Sequence, residues 1–206
     1  MNLYIVRHGE TAWNRQNRFQ GSSDLSLSGR GRAQIKELAG RLKAGINIKR
    51  IYSSPLKRAY QTADIISKRL GIPVKRRSGL REISLGAWEG RTPREIDRLY
   101  NNEYQKWLKL GPSKARIPKA EPLGRFNERV VKAITGIAGS GQKGDAVIVT
   151  HGGVIASFLA YLFRTDFDSL FQALYLPNAC VVLVNFYKNK GYVLSINGEF
   201  PRKRSV

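Results

Sequence analysis

In 206 residues the chain has one cysteine, one methionine and two histidines, and only 15 acidic side chains stand against 36 lysines and arginines. A lone thiol, Cys180, excludes an internal disulfide, and its setting in ACVVLV makes it a small buried hydrophobe. No apolar run approaches the ~20 residues needed to cross a bilayer. The opening MNLYIV reads as a strand and lacks the length and cleavage site of a signal peptide, so a cytoplasmic protein is expected. Two histidines and one cysteine, with no acidic cluster at ligand spacing, do not make a zinc centre. G-x-S-x-G and Walker A are missing, and no predicted strand leads into a G-x-G-x-x-G fingerprint, which removes serine-hydrolase, P-loop and dinucleotide chemistry. Neither a metal nor a cofactor is expected.

What is present is positive charge, +21 in all. Such a balance favours anionic partners: nucleic acid, an acidic membrane, or phosphorylated and carboxylated small molecules. The basic residues are scattered, as in Lys49-Arg50, Lys75-Arg76-Arg77 and the tail Arg202-Lys203-Arg204. That pattern is a solvated basic surface rather than a dedicated nucleic-acid groove or membrane anchor. The expected partner is a small anionic molecule; assembly into a homodimer stays open.

Strand and helix patterns alternate along the chain. Apolar runs at 3–6, 49–53 and 146–150 read as buried strands. Ser28 is an N-cap for a helix carrying Ile35, Leu38, Ala39 and Leu42, which Gly45 stops. Ser54-Pro55 reads as a second helix start, with Leu56, Ala59, Tyr60, Ala63 and Ile66 on its apolar face, ended by Gly71 and Pro73. The middle, 92–117, is helical but weakly periodic, carries Tyr100, Tyr104 and Trp107, and is broken by Pro112, Pro118 and Pro122. Helices follow from Phe126 and after Thr150, and 180–186 with 192–196 form a hairpin around Asn189-Lys190-Gly191. With no repeat or linker, this is one α/β domain, three layers deep, with a mostly parallel central sheet covered by helices.

Both histidines follow a predicted strand and precede glycine, in YIVRHG and VIVTHGG. In open α/β sheets ligands bind past the carboxyl ends of the strands, so His8 and His151 can share one crevice. Gly9 and Gly152-Gly153 would let backbone N–H groups approach an anion. On spacing alone, two unrelated histidines satisfied by local hydrogen bonds explain the pattern equally well. Arg7 precedes His8, and Arg58 lies in a helix's first turn, where a cation opposes the macrodipole unless an anion shares the site. An Arg58 side chain reaching into water is the plainer alternative. Histidine flanked by arginines around an anion points to phosphate.

LYIVRHGETAWN resembles the Arg-His-Gly signature of the histidine phosphatase superfamily, which includes the cofactor-dependent phosphoglycerate mutases. RFQGSSDLSLSGRGRAQ, SSPLKRAYQTA, LREISLGAWEG and VTHGGVI are similar to its later motifs, in the same order and over nearly the whole chain. The resemblance implies a phosphoglycerate mutase-like fold over 1–206, with a helical lid or insertion around 92–125. It implies that His8 is the nucleophile that becomes phosphohistidine. Arg7, Arg58 and His151 would hold the phosphoryl oxygens with Asn14 assisting, and Glu82 would be the proton donor. Gln20, Gly21 and Gly152 complete the implied substrate-binding set. Glu10, beside the nucleophile, and Glu89, expected to order its own loop, are not assigned as the acid.

Within this family a mutase must return the phosphoryl group to its substrate, and mutases use extra sequence between the acid and the second histidine. Here only 83–150 separates Glu82 from His151, and GAWEG is similar to the phosphatase branch, which includes α-ribazole phosphatases and broad-specificity phosphatases. The expectation is a phosphomonoester hydrolase acting on small phosphorylated metabolites, with a mutase as the alternative. Many short members carry Gly-Glu-Ser where this chain has Gly124-Arg125-Phe126, a departure expected near the mouth of the site. Trp107, Tyr100, Tyr104 and Phe126 would either line a lid or simply pack. A nucleic-acid-binding or regulatory protein on the same fold is the rival reading; it would bind nucleic acid with steep salt dependence and hydrolyse no p-nitrophenyl phosphate. If the charge serves small anionic substrates, raising ionic strength will lower kcat/KM more than kcat; equal effects on both in a salt titration would refute that use of the charge.

Overall fold

The structure is a computed structural model describing residues 1–43, 47–141, 143–188 and 190–197. Gly45, Asn189 and the tail Arg202-Lys203-Arg204 lie outside the described residues. In chain order the elements are β1 (Asn2–Arg7), α1 (Ala12–Arg15), α2 (Gly29–Lys43), β2 (Ile48–Ser53), α3 (Lys57–Leu70), β3 (Val74–Arg76), α4 (Pro93–Leu110), α5 (Leu123–Ala138), β4 (Asp145–Thr150), α6 (Gly152–Phe163), α7 (Phe167–Ala173), β5 (Val181–Tyr187) and β6 (Lys190–Ile196).

Among the described residues, six strands form one sheet in the order β3-β2-β4-β1-β5-β6. β3, β2, β4 and β1 are mutually parallel, and β5 and β6 join antiparallel. Alternation along β1 explains the layers. Leu3 and Ile5 face one side with Ile148, Val182, Phe126 and Phe158, while Tyr4 and Val6 face the other with Ile35, Leu38, Ile51 and Ala63. Burying each such aliphatic side chain contributes about 1.5–3 kcal/mol. Helices α2 and α3 cover the second face and α5 and α6 the first, so both faces of the parallel strands are dry, as near-continuous Val/Ile/Leu runs require. A smaller cluster of Leu85, Trp88, Ile96 and Tyr104, with Phe19, Tyr100 and Trp107 against it, roots α4 beside the sheet.

Local signals explain most boundaries. Ser28 Oγ accepts from Gly31 N at 3.0 Å, capping α2. Ser54 does not cap α3 as expected: that helix starts at Lys57, and Ser54 Oγ is turned instead toward His151. Within α4, Tyr100 interrupts the helix with non-helical backbone (φ −138°, ψ 35°). The short strand β3 and the helices α1 and α7 do not show in the periodicity of the sequence. Lys190 and Gly191, expected in the hairpin turn, already belong to β6. Burial pushes the Cys180 thiol up to about 11, as suits an inert core group.

Two glycines of α2 should respond oppositely to alanine. A Cβ on Gly31 would overlap the backbone carbonyl of Glu10, whereas one on Gly40 meets nothing within 4 Å. Gly40→Ala is expected to stabilise by about 0.5–1 kcal/mol, and Gly31→Ala to destabilise by roughly 1–3 kcal/mol. Denaturant midpoints of the two variants check the signs.

Candidate active site

Strands β1 and β4 are adjacent and parallel, with Arg7 opposite Thr150. The residue after each is a histidine, so the pairing sets the two side by side: His8 N donates to Thr150 O at 3.0 Å, and the ring centroids lie 5.2 Å apart at 62°. Both rings are buried. Arg58 Nε donates to His8 Nε2 at 3.2 Å, and His8 Nδ1 lies 2.8 Å from Gly9 O. Accepting from Arg58 makes Nε2 the bare nitrogen and leaves the proton on Nδ1. His151 Nε2 meets Ser54 Oγ at 2.8 Å. Ser54 Oγ already accepts from Leu56 N, so its proton is available to Nε2, which leaves His151 Nδ1 as the N–H. Among the described residues, His151 Nδ1 and Arg7 Nε are buried without a hydrogen-bond partner, two donors such as an anion would satisfy.

Arg58 does not reach into water. It is 1% exposed, and its terminal nitrogens donate to Ser23 O and to Gly21 O at 2.7 Å. Those carbonyls are fixed in turn by Glu89, whose carboxylate accepts from Ser22 N, Ser23 Oγ and Leu85 N. Glu89 therefore orders its own loop and the loop that cradles Arg58. Desolvation works to raise its pKa, but the hydrogen bonds from Ser23, Ser22 and Leu85 outweigh it and hold it low. Glu10 accepts from Ser28 Oγ at 2.8 Å and does not line the cavity.

Glu82 Oε2 accepts from Gly153 N and Oε1 from Ile83 N, both at 3.0 Å. The approach needs glycine, since a Cβ at Gly153 would sit 2.5 Å from Oε1. Burial raises the pKa of Glu82 despite opposing contributions from Gly153 N–H, Arg58, Ile83 N–H and Arg7. Burial, then Arg58 and Arg7, hold His8 well below the usual imidazole range; burial and Arg58 also act on His151, with smaller contributions from His8 and Arg7. Arg58 falls to about 10 through burial and stays charged.

Arg7, His8, Asn14, Gln20, Gly21, Arg58 and Glu82 line one cavity of about 400 Å³. His151 lies directly beside His8, while Gly152 packs along the Arg7 guanidinium and Gly21 serves through its carbonyl. Asn14 Oδ1 accepts from Thr11 N and Asn178 Nδ2, leaving its NH2 to offer. Across from these polar groups stand Phe19, Trp107 and Phe171, in edge-to-face contact at 6.0 and 5.8 Å. Of the aromatics weighed for a lid, only Trp107 lines the cavity; Tyr100 and Tyr104 pack in the Trp88 cluster. Phe126 is fully buried core and Arg125 is exposed, and neither lines the cavity. The sequence reading missed Asn178, which holds His8 O at 3.1 Å, as well as Ser54, Phe171 and Arg129. Asn178, Phe171 and Arg129 lie in no stretch with a chemical signature, and Ser54 lies in SSPLKRAYQTA, where it reads as a helix start and not as a partner of His151.

A family model described as histidine phosphatase superfamily (branch 1) matches residues 3–199. The chain is 38% identical to phosphoglycerate mutase-like protein 4 of Arabidopsis thaliana over 75% of its length and 68% of that protein's. Among solved structures, a phosphoserine phosphatase of Entamoeba histolytica superimposes with a TM-score of 0.82 at 27% identity, over 96% of this chain and 97% of that one. The α-ribazole phosphatase of Shigella flexneri shares the fold with a TM-score of 0.84 at 24% identity, over 97% of each chain.

The buried imidazoles make a stability prediction. Both titrate lower in the fold than in the unfolded chain, whose imidazole value is 6.5. The unfolded chain therefore takes up protons first on acidification, and stability present at neutral pH is lost as pH drops below that value. The melting temperature of the wild type should fall more steeply between about pH 7.5 and pH 5.5 than that of His8→Asn. Parallel slopes in calorimetry would show that His8 is not kept neutral.

Proposed function

The chain belongs to the histidine phosphatase superfamily, and we propose that within it the protein hydrolyses small phosphomonoesters through a phosphohistidine on His8. The observation that carries this reading is the bare Nε2 of His8, held by Arg58 Nε beside a cavity that also contains Arg7 and Glu82. Two guanidinium charges beside two neutral imidazoles match a phosphomonoester dianion in charge. No described ion pair neutralises Arg7 or Arg58.

In the first step the substrate's phosphoryl oxygens take the donors of Arg7, Arg58, His151 and Asn14, and Arg58 Nε gives up Nε2. The Nε2–P bond forms as the P–O bond to the leaving group breaks, and Glu82 gives its proton to the departing alkoxide. In the second step the Glu82 carboxylate takes a proton from water as its oxygen attacks phosphorus. The N–P bond breaks, inorganic phosphate leaves, and His8 and Glu82 are restored. Fixed guanidinium donors answer the charge gathering on the equatorial oxygens. The wall of Phe19, Trp107 and Phe171 supports a leaving group with a flat apolar face, such as an α-ribazole phosphate-like or broad-specificity substrate. The mutase name of the Arabidopsis relative favours phosphoglycerate mutation as the second reading.

Three outcomes are expected. Brief reaction with a 32P-labelled phosphomonoester followed by an alkaline quench places acid-labile label on the wild type and none on His8→Ala. Glu82→Gln should lose about 10²–10⁴ in turnover of poor leaving groups. The protonated acid is active in the first step, so wild-type activity on such substrates declines as pH rises through the elevated Glu82 pKa, and this limb vanishes in Glu82→Gln. Efficient interconversion of 2- and 3-phosphoglycerate with little phosphate released would replace hydrolase with mutase.

A further inference from the structure

The segment carrying Glu82 has almost no regular structure. Residues 78–80 make a single 3₁₀ turn, and the chain then runs irregularly to the next such turn at 86–88. A catalytic carboxyl on such a segment needs its backbone fixed from outside. Four consecutive carbonyls, those of Gly79, Leu80, Arg81 and Glu82, each accept a hydrogen bond from a side chain. Thr150 Oγ1, at the end of β4, donates to Leu80 O at 2.8 Å. The other three accept from one residue of α5: Arg129 Nη1 reaches Gly79 O at 3.1 Å and Arg81 O at 2.7 Å, and Nη2 reaches Glu82 O at 3.2 Å.

The guanidinium has no donor to spare. Its remaining two N–H groups form a bidentate pair with Glu121, Nε to Oε1 and Nη2 to Oε2, both at 2.7 Å. All five donors are used. Glu121 also accepts from Ser84 N at 3.4 Å, and its own N–H donates to Ser84 O at 2.9 Å. The clamp is anchored behind by the core: Arg129 lies 4.9 Å over the Phe126 ring, one turn back on α5, and Gly79 leaves no room for a side chain against Ala133. Arg129 does not line the cavity.

We infer that Arg129, oriented by Glu121, is a positioning residue for general-acid catalysis: it fixes the backbone from which the Glu82 carboxyl reaches the leaving group. The inference rests on the hydrolase reading above and adds to it a residue outside the cavity. A lysine offers one nitrogen in place of a planar fork, so charge alone does not replace it.

The test uses leaving-group dependence. kcat/KM reports phosphoryl transfer to His8, and proton donation matters for phenyl phosphate far more than for 2,4-dinitrophenyl phosphate, whose phenolate leaves unaided. Arg129→Ala and Arg129→Lys should lower kcat/KM for phenyl phosphate by at least about tenfold relative to the dinitrophenyl ester, and guanidinium ion should partly restore the Ala variant. In the Glu82→Gln background the same substitutions should change that ratio no further, since the group they position is gone. Glu121→Gln, which keeps the shape but loses the charged pair, gives the same readout if Arg129→Ala does not fold. Equal losses on both esters would mean a merely structural role and overturn the inference. A wild type that turns over neither ester would instead remove the hydrolase reading itself.

Discussion

The site depends on the in-register parallel pairing of β1 with β4. Because Arg7 stands opposite Thr150, the next residue on each strand emerges at the same level and on the same edge of the sheet. Two residues 143 positions apart in the chain are thereby placed ring against ring, with the His8 amide tied to the last carbonyl of β4. A one-residue slip would turn every β1 side chain to the opposite face, exchanging Leu3 and Ile5 with Tyr4 and Val6. Both faces are dry, so the core that fixes the register also fixes the histidine pair. Arg58 enters from the neighbouring strand by the same logic, since β2 pairs with β4 on its other side and hands the chain to α3 just past Ser53.

Burial then does chemical work at this edge. Two buried imidazoles and a half-buried carboxyl stand beside two guanidinium groups that form no ion pair among the described residues, and the imidazoles and the carboxyl are each displaced toward the neutral form. For the histidines, burial and the nearby cations act together, so neutrality is over-determined. The arginines are held by backbone carbonyls: Gly21 and Ser23 for Arg58, Leu176 for Arg7. Carbonyls orient a guanidinium without cancelling its charge, which a carboxylate would do. The charge stays available to a ligand, and Glu89 is set one step back, fixing the loop that supplies two of those carbonyls.

What could be read from the sequence divides along physical lines. Strand periodicity and the Ser28 cap located β1, β2, β4 and α2, because those signals are local and strong. The histidine motifs gave the site's centre because each is short and flanks a strand end. Ser54 shows where local reasoning fails: Ser-Pro is a sound helix start, yet the serine is drawn instead to His151, 97 residues away. Phe126 and Arg125 fail likewise, since helical phase inside α5, not proximity to a motif, decides which side chain enters the core. Arg129 was illegible for a stronger reason. Nothing distinguishes it from 35 other basic residues until the fold brings it under the Glu82 segment.

Glu82, the proposed acid, sits between opposed forces. Desolvation raises its pKa, while the Gly153 N–H at the start of α6, Arg58 and the Ile83 N–H all favour the carboxylate. A helix N-terminus aimed at an acid makes little sense if the group is only ever neutral. It fits the proposed role, giving a proton in one half-reaction and taking one in the next, because neither form can then be too stable. Burial without the Gly153 contact would yield a carboxyl too reluctant to release its proton. The contact without burial would yield an ordinary carboxylate with none to give. Glycine at 153 reconciles the two, since the amide can reach the buried oxygen only where no side chain intervenes.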